Sequence, residues 1–92
     1  MMTHRCPVCG AILDEPAWEG DFASYEICPC CGTQFGYTDS VPADQREGLH
    51  NQLRADWISA GCPWHSRSRT PPEGWDPQAQ MASAGLDSRD LP

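Results

Sequence analysis

Cys6-Pro7-Val8-Cys9-Gly10 and Cys28-Pro29-Cys30-Cys31-Gly32 decide how this chain is read. Each is a CPxCG turn, in which proline sets the entry φ and the glycine after the second cysteine lets backbone amides fold towards the sulfurs. Metal–sulfur bonds of about 2.3 Å in a tetrahedron would hold two such thiolates within about 4 Å of each other. Eighteen residues separate the two pairs, a spacing found in CxxC…CxxC metal sites. Cys6, Cys9, Cys28 and Cys31 are therefore the predicted ligands of one metal ion, and zinc is the expected metal.

The remaining cysteines and histidines do not complete a second site. Cys30 competes with Cys28 and Cys31, but the CxxC separation suits a knuckle better than two adjacent cysteines, so Cys30 is expected to turn away from the ion as a small thiol. Cys62 has no second cysteine near it and reads as a packing residue. Cys62-Pro63-Trp64-His65 imitates a CxxH half-site, yet a full site would need two more convergent ligands, and His4 and His50 lie in segments with no reason to supply them. The histidines are expected at the surface or at caps.

At 92 residues and a mean hydropathy of -0.56 the chain can bury only a modest core, and domains of this size tend to need a staple. The metal is expected to be that staple, with much of the folding free energy coming from its binding. The formal net charge is -7; four ionised thiols and a dication bring it to about -9. All six basic residues are arginine, and the first pair and its connector carry Asp14, Glu15, Glu19, Asp21 and Glu26 against Arg5 alone. An acidic face of this kind suits a basic protein partner and disfavours nucleic acid. The short lead into Cys6 leaves no room for a signal peptide, and no apolar run reaches membrane-spanning length. A reducing cytoplasm, where thiols stay free for metal, is the expected setting.

The fold expected is α+β: a small zinc ribbon, a packed helix and a wrapped, proline-rich C-terminal tail, as one domain over residues 1–85 with a frayed end at 86–92. Ala11 to Leu13 should leave the first knuckle as a strand, Phe22 to Ile27 should enter the second, and Gln34 to Tyr37 should leave it as another strand. Ala43 to Ala60 reads as the main helix, starting near Pro42 and stopped at Gly61. Leu49, Leu53, Trp57 and Ala60 share an arc that should lie on the ribbon, with Ile58 needing cover from Trp64 or Trp75. Asp76-Pro77 should cap and open a short helix running to about Ala84.

A closed four-cysteine site has no open coordination position for water activation. There is also no nucleophile motif, phosphate loop or HExxH. No enzyme activity is expected. Arg67 and Arg69 with Ser66, Ser68 and Thr70 form a solvated loop that could clasp an anion. Of the four tryptophans, Trp57 is expected in the core, and at least one of Trp18, Trp64 and Trp75 is expected partly exposed, as on a protein-binding surface.

The run Tyr25-Glu26-Ile27-Cys28-Pro29-Cys30-Cys31-Gly32 resembles the cysteine-rich CPCC domain proteins, small bacterial chains in which a CPxC pair near the N-terminus precedes a YxICPxC pair and a helix. The resemblance covers residues 4 to 60. It implies a metal-binding fold with no established reaction, and it points to an inhibitor or immunity protein for a toxin. The two knuckles are also similar to those of rubredoxin, in which four such thiolates hold iron for electron transfer, although Ala11-Ile12-Leu13 stands where rubredoxin has an aromatic-rich strand. An iron electron carrier is thus the alternative expectation to a zinc-bearing, protein-binding module.

Overall fold

A computed structural model describes residues 3–86. The chain is a small α+β fold. Strand β1 (His4–Arg5) pairs antiparallel with β2 (Ile12–Leu13), with His4 opposite Leu13 and Arg5 opposite Ile12. Strand β3 (Trp18–Glu19) pairs with β4 (Phe22–Ala23), with Trp18 opposite Ala23. Helix α1 spans Ala43–Ser59 and helix α2 spans Pro77–Ser83.

The two hairpins are short because each is a staple for a neighbouring turn. The first brackets knuckle 1. The second folds the acidic connector back on itself, tied by Ser24 N–H to Ala17 O at 2.9 Å. The strand expected over Gln34 to Tyr37 does not form. A single bridge joins Ile27 to Gln34, after which Tyr37 and Thr38 N–H both turn back onto Gln34 O, at 3.1 and 2.8 Å. The chain curls at that point instead of running on, so knuckle 2 has one bridge where knuckle 1 has a hairpin.

Both helices lie where the sequence places them. Asp76 caps α2, its carboxylate accepting from Gln78 and Ala79 N–H, and Pro77 fills the first turn, where a missing N–H costs nothing. Helix α1 follows Pro42 and ends at Ala60, where Cys62 N–H closes onto Trp57 O at 2.9 Å. Its inward face differs from the one expected. Trp57 is buried as predicted, but its companions are His50 and Arg54, while Leu49 and Leu53 are only half-buried and Ala60 is exposed. The face is rotated towards two polar residues, for a reason that lies in the site beneath it.

The core joins Val8, Ala11, Ala17, Phe35, Trp57 and Met81 to the cysteines, with Ile58, Trp64, Trp75 and Leu86 packed against it. Trp64 and Trp75 meet edge to face at 5.3 Å, which holds the segment between the helices against the body. Leu86 N–H reaches Met81 O at 2.9 Å; the rest of the expected frayed end, residues 87–92, lies outside the described residues.

Candidate metal centre

The two knuckles are built alike. In the first, Gly10 N–H reaches Cys6 O and Cys6 N–H reaches Ala11 O, at 2.9 and 2.8 Å. In the second, Gly32 N–H reaches Cys28 O and Cys28 N–H reaches Thr33 O, both at 2.9 Å. Each turn closes through its glycine in the left-handed region, φ +86° at Gly10 and +81° at Gly32, where any side chain is strained. The same absence of a side chain admits the C-terminal half of the protein. A Cβ on Gly10 would lie 2.9 Å from Gln80 O and 3.0 Å from Ala84 Cβ, and one on Gly32 would lie 2.7 Å from His65 Nδ1.

The four cysteines singled out by spacing come together. Their sulfurs lie within 4.8 Å of one another, and the contacts Cys6–Cys31 and Cys9–Cys28 cross between knuckles at 3.7 Å. A tetrahedron of about 2.3 Å metal–sulfur bonds has edges of about 3.8 Å, so the cluster is positioned for metal binding with little adjustment. All six cysteines are free thiols. Cys6, Cys9 and Cys28 are buried and Cys31 is half-buried. Val8 N–H points to Cys6 Sγ at 3.4 Å. Thr33 Oγ1 lies 3.2 Å from Cys31 Sγ, where its hydroxyl can donate to an ionised sulfur. Cys30 stays outside the cluster, fully buried, with Gln80 Nε2 at 3.4 Å from its sulfur.

Around the sulfurs runs a layer of donors that satisfies the backbone carbonyls of both knuckles. Arg54 is 6% exposed and donates from Nε to Val8 O and from Nη2 to Pro7 O, both at 2.8 Å. Its third nitrogen, Nη1, holds Asn51 at 3.0 Å. Gln80 Nε2 donates to Cys9 O at 2.9 Å, and Arg5 Nη1 to Gly10 O at 3.1 Å. On the second knuckle, His65 N–H meets Cys30 O at 3.0 Å and Ser66 N–H meets Pro29 O at 2.8 Å. This explains the polar face of α1. Turns that aim their amides at sulfur leave carbonyls pointing outward, and a buried carbonyl needs a donor.

Electrostatics favours a cation at the centre. Contact with Cys28 is the main cause that pushes the Cys6 and Cys9 thiols well above the usual range, whereas hydrogen bonding from Cys28, Cys6 and Cys9 holds Cys31 well below it. A dication bound between the four sulfurs would allow all of them to ionise together. Arg54 contributes a fixed positive charge beside them: burial lowers its affinity for its proton, and the neighbouring Cys6 and Cys9 raise it.

A second buried polar cluster was not foreseen. Asp39 is fully buried, and accepts from Trp18 Nε1 at 2.8 Å and Gly36 N–H at 2.7 Å, with His50 Nε2 at 2.6 Å. Burial is the largest influence on its carboxyl and pushes it up, but the bonds from His50, Trp18 and Gly36 together bring it below the ordinary value. His50 is therefore a buried partner, not the surface or capping residue expected. The sequence signal was available in its i, i+4, i+7 spacing with Arg54 and Trp57, but a search for apolar arcs passes over it. His4, His50 and His65 join no metal-ligating cluster among the described residues.

The tryptophans are placed as expected, Trp57 in the core and the other three partly exposed. Trp18, Trp64 and Trp75 are half-buried, and each of the four indole N–H groups has an acceptor. Among the described residues, the large apolar side chains in solvent are Ile12, Phe22, Tyr25, Ile27 and Tyr37, Phe22 and Tyr37 being 80% and 78% exposed. Arg67 and Arg69 lie in an exposed loop, with Arg69 3.8 Å from Asp14. No helix among the described residues is long and apolar enough to cross a membrane.

No family model matches the chain, so the likeness to CPCC proteins stays with the residues that carry it. No solved structure matches it. The chain is similar to an uncharacterized protein of Bacillus subtilis strain 168, YoaQ, at 27% identity over 70 residues. That match covers 63% of this chain and 59% of the relative, so the chain spans less than two thirds of the relative's length.

Proposed function

We propose that the protein is a non-catalytic protein-binding module built as a zinc ribbon, in which the metal supports the fold and the surface performs the function. The observation that carries this is the closed set of four thiolates at tetrahedral spacing. An ion with four protein ligands has no position left for water or substrate. The surface offered to a partner combines the apolar residues Ile12, Tyr25 and Ile27 with the carboxylates of Asp14, Glu15 and Glu26, all exposed. Ile12 and Ile27 line one groove together with Arg69, and Tyr25 and Ile27 line the next together with Arg67 and Arg69. Such a strip matches a basic partner with apolar anchors, and a toxin held inactive in the cytoplasm is the most specific candidate.

Metal analysis and a pull-down test the two halves separately. One zinc per chain with no visible absorbance supports a structural centre. One iron with a red ferric spectrum replaces this reading with the rubredoxin-like electron carrier, which the same four sulfurs would also serve. A stoichiometric partner recovered from native lysate by the natural chain, and lost with Ile27→Asp, supports the binding surface; recovery of none counts against it.

A further inference from the structure

A pocket of about 340 Å³ opens where α1, knuckle 1 and the β3–β4 hairpin meet, lined by His4, Pro7, Pro16, Trp18, Arg46 and His50 among others. Among the described residues no carboxylate lines it, although the chain has thirteen acidic residues. The guanidinium of Arg46 lies 3.6 Å over the Trp18 ring, stacked on its face. One nitrogen, Nη1, donates to Gly20 O at a long 3.3 Å. Nε is buried without a partner, and among the described residues Arg46 forms no ion pair. The carboxylate bonded to the same indole does not pair with it: the bonds of Asp39 go to Trp18, Gly36 and His50.

We infer that this pocket binds a small organic oxyanion, a carboxylate or phosphate on a short apolar body, gripped by the Nε and Nη2 edge of Arg46. That edge presents two parallel N–H groups, the fork that takes two oxygens of a carboxylate or phosphate at once. Binding in this way requires Nε, buried in this structure, to be uncovered by a movement of the side chain along the Trp18 face, and the one bond that opposes it is the long contact with Gly20 O. Pro7, Pro16 and the edge of Trp18 supply apolar walls for the body of the ligand. The volume lies at the small end of ligand pockets. The site is separate from the sulfur cluster and from the strip proposed for a protein partner.

The test is an NMR titration of the metal-loaded full chain with sodium phosphate and, separately, with benzoate, at constant ionic strength. Saturable shifts of the Trp18 indole N–H and the Arg46 Nε–H are expected with at least one of the two probes. Saturation by phosphate alone identifies the phosphate form, and saturation by benzoate alone the carboxylate form. Arg46→Gln is expected to weaken binding by about tenfold or more, while Arg69→Gln leaves it unchanged. Arg46→Lys, which keeps the charge without the fork, is expected to bind several-fold more weakly and decides the matter if Arg46→Gln does not fold. Shifts that fail to saturate with either probe, that centre on Arg67 and Arg69, or that persist undiminished in both Arg46 variants overturn the inference.

Discussion

Replacing Arg54 with methionine tests whether the donors around the knuckles matter as much as the sulfurs. The substitution keeps an unbranched stem of similar reach and removes the guanidinium. Two carbonyls, the buried Val8 O and the half-buried Pro7 O, lose charge-assisted bonds of 2.8 Å, each contributing about 1.5–3 kcal/mol. The loss sums to about 3–6 kcal/mol, against a total stability for a small domain of about 5–15 kcal/mol. At about 4–8 °C per kcal/mol, the metal-loaded protein should melt more than about 12 °C lower. Metal affinity should fall with it, because four thiolates around a dication carry a net charge of about -2 and Arg54 is a cation held beside them. Thermal unfolding of the loaded protein and competition with a chromophoric chelator read the two effects. Arg54→Lys, which keeps charge but not the fork, should recover metal affinity more fully than stability. An Arg54→Met protein that melts within about 1 kcal/mol of the natural chain and holds its metal equally well would refute the reasoning.

Gly10→Ala should cost about 2–4 kcal/mol, from left-handed backbone strain and overpacking against Gln80 and Ala84, whereas Gly48→Ala, with nothing within 4 Å in α1, should stabilise by up to about 1 kcal/mol; urea unfolding distinguishes the opposite signs. Cys31→Ala should abolish stoichiometric metal binding while Cys30→Ala retains one metal per chain, since only the first lies in the sulfur cluster; elemental analysis gives the answer directly. Asp39→Asn should destabilise at pH 7, with the gap to the natural chain narrowing as the solution is acidified. A depressed folded pKa means the carboxylate's contribution is complete above its unfolded value, about 3.9, and is lost as pH falls through the folded one. Urea midpoints of the two metal-loaded proteins between pH 7 and 4 should show a constant gap, since its closure falls below that window, and a gap that widens in acid would contradict the assignment.

The parts of the fold legible in the sequence are those with local chemistry. Two CPxCG turns bring together Cys6, Cys9, Cys28 and Cys31, and Asp76-Pro77 opens α2 where a capping carboxylate and a residue without an N–H belong. What escaped reading depends on partners distant in the chain. Leu49 and Leu53 outweigh His50 and Arg54 on any hydropathy scale, yet the ground beneath α1 is lined with carbonyls and a carboxylate, so the polar pair turns inward. Asp39, in a stretch that looks like an ordinary turn, is buried because Trp18 and His50 both bring a ring N–H to the same carboxylate oxygen. Gln34 to Tyr37 has strand-forming residues, but local turn bonds to Gln34 O prevail over pairing.

Gln80 is 71 positions away from the Cys9 carbonyl that it closes, and Arg54 is 47 positions away from that of Pro7. The carbonyls of the first knuckle are thus secured by the far end of the chain, so that loss of α2 would strip Cys9 O of its donor while leaving the four cysteines themselves untouched.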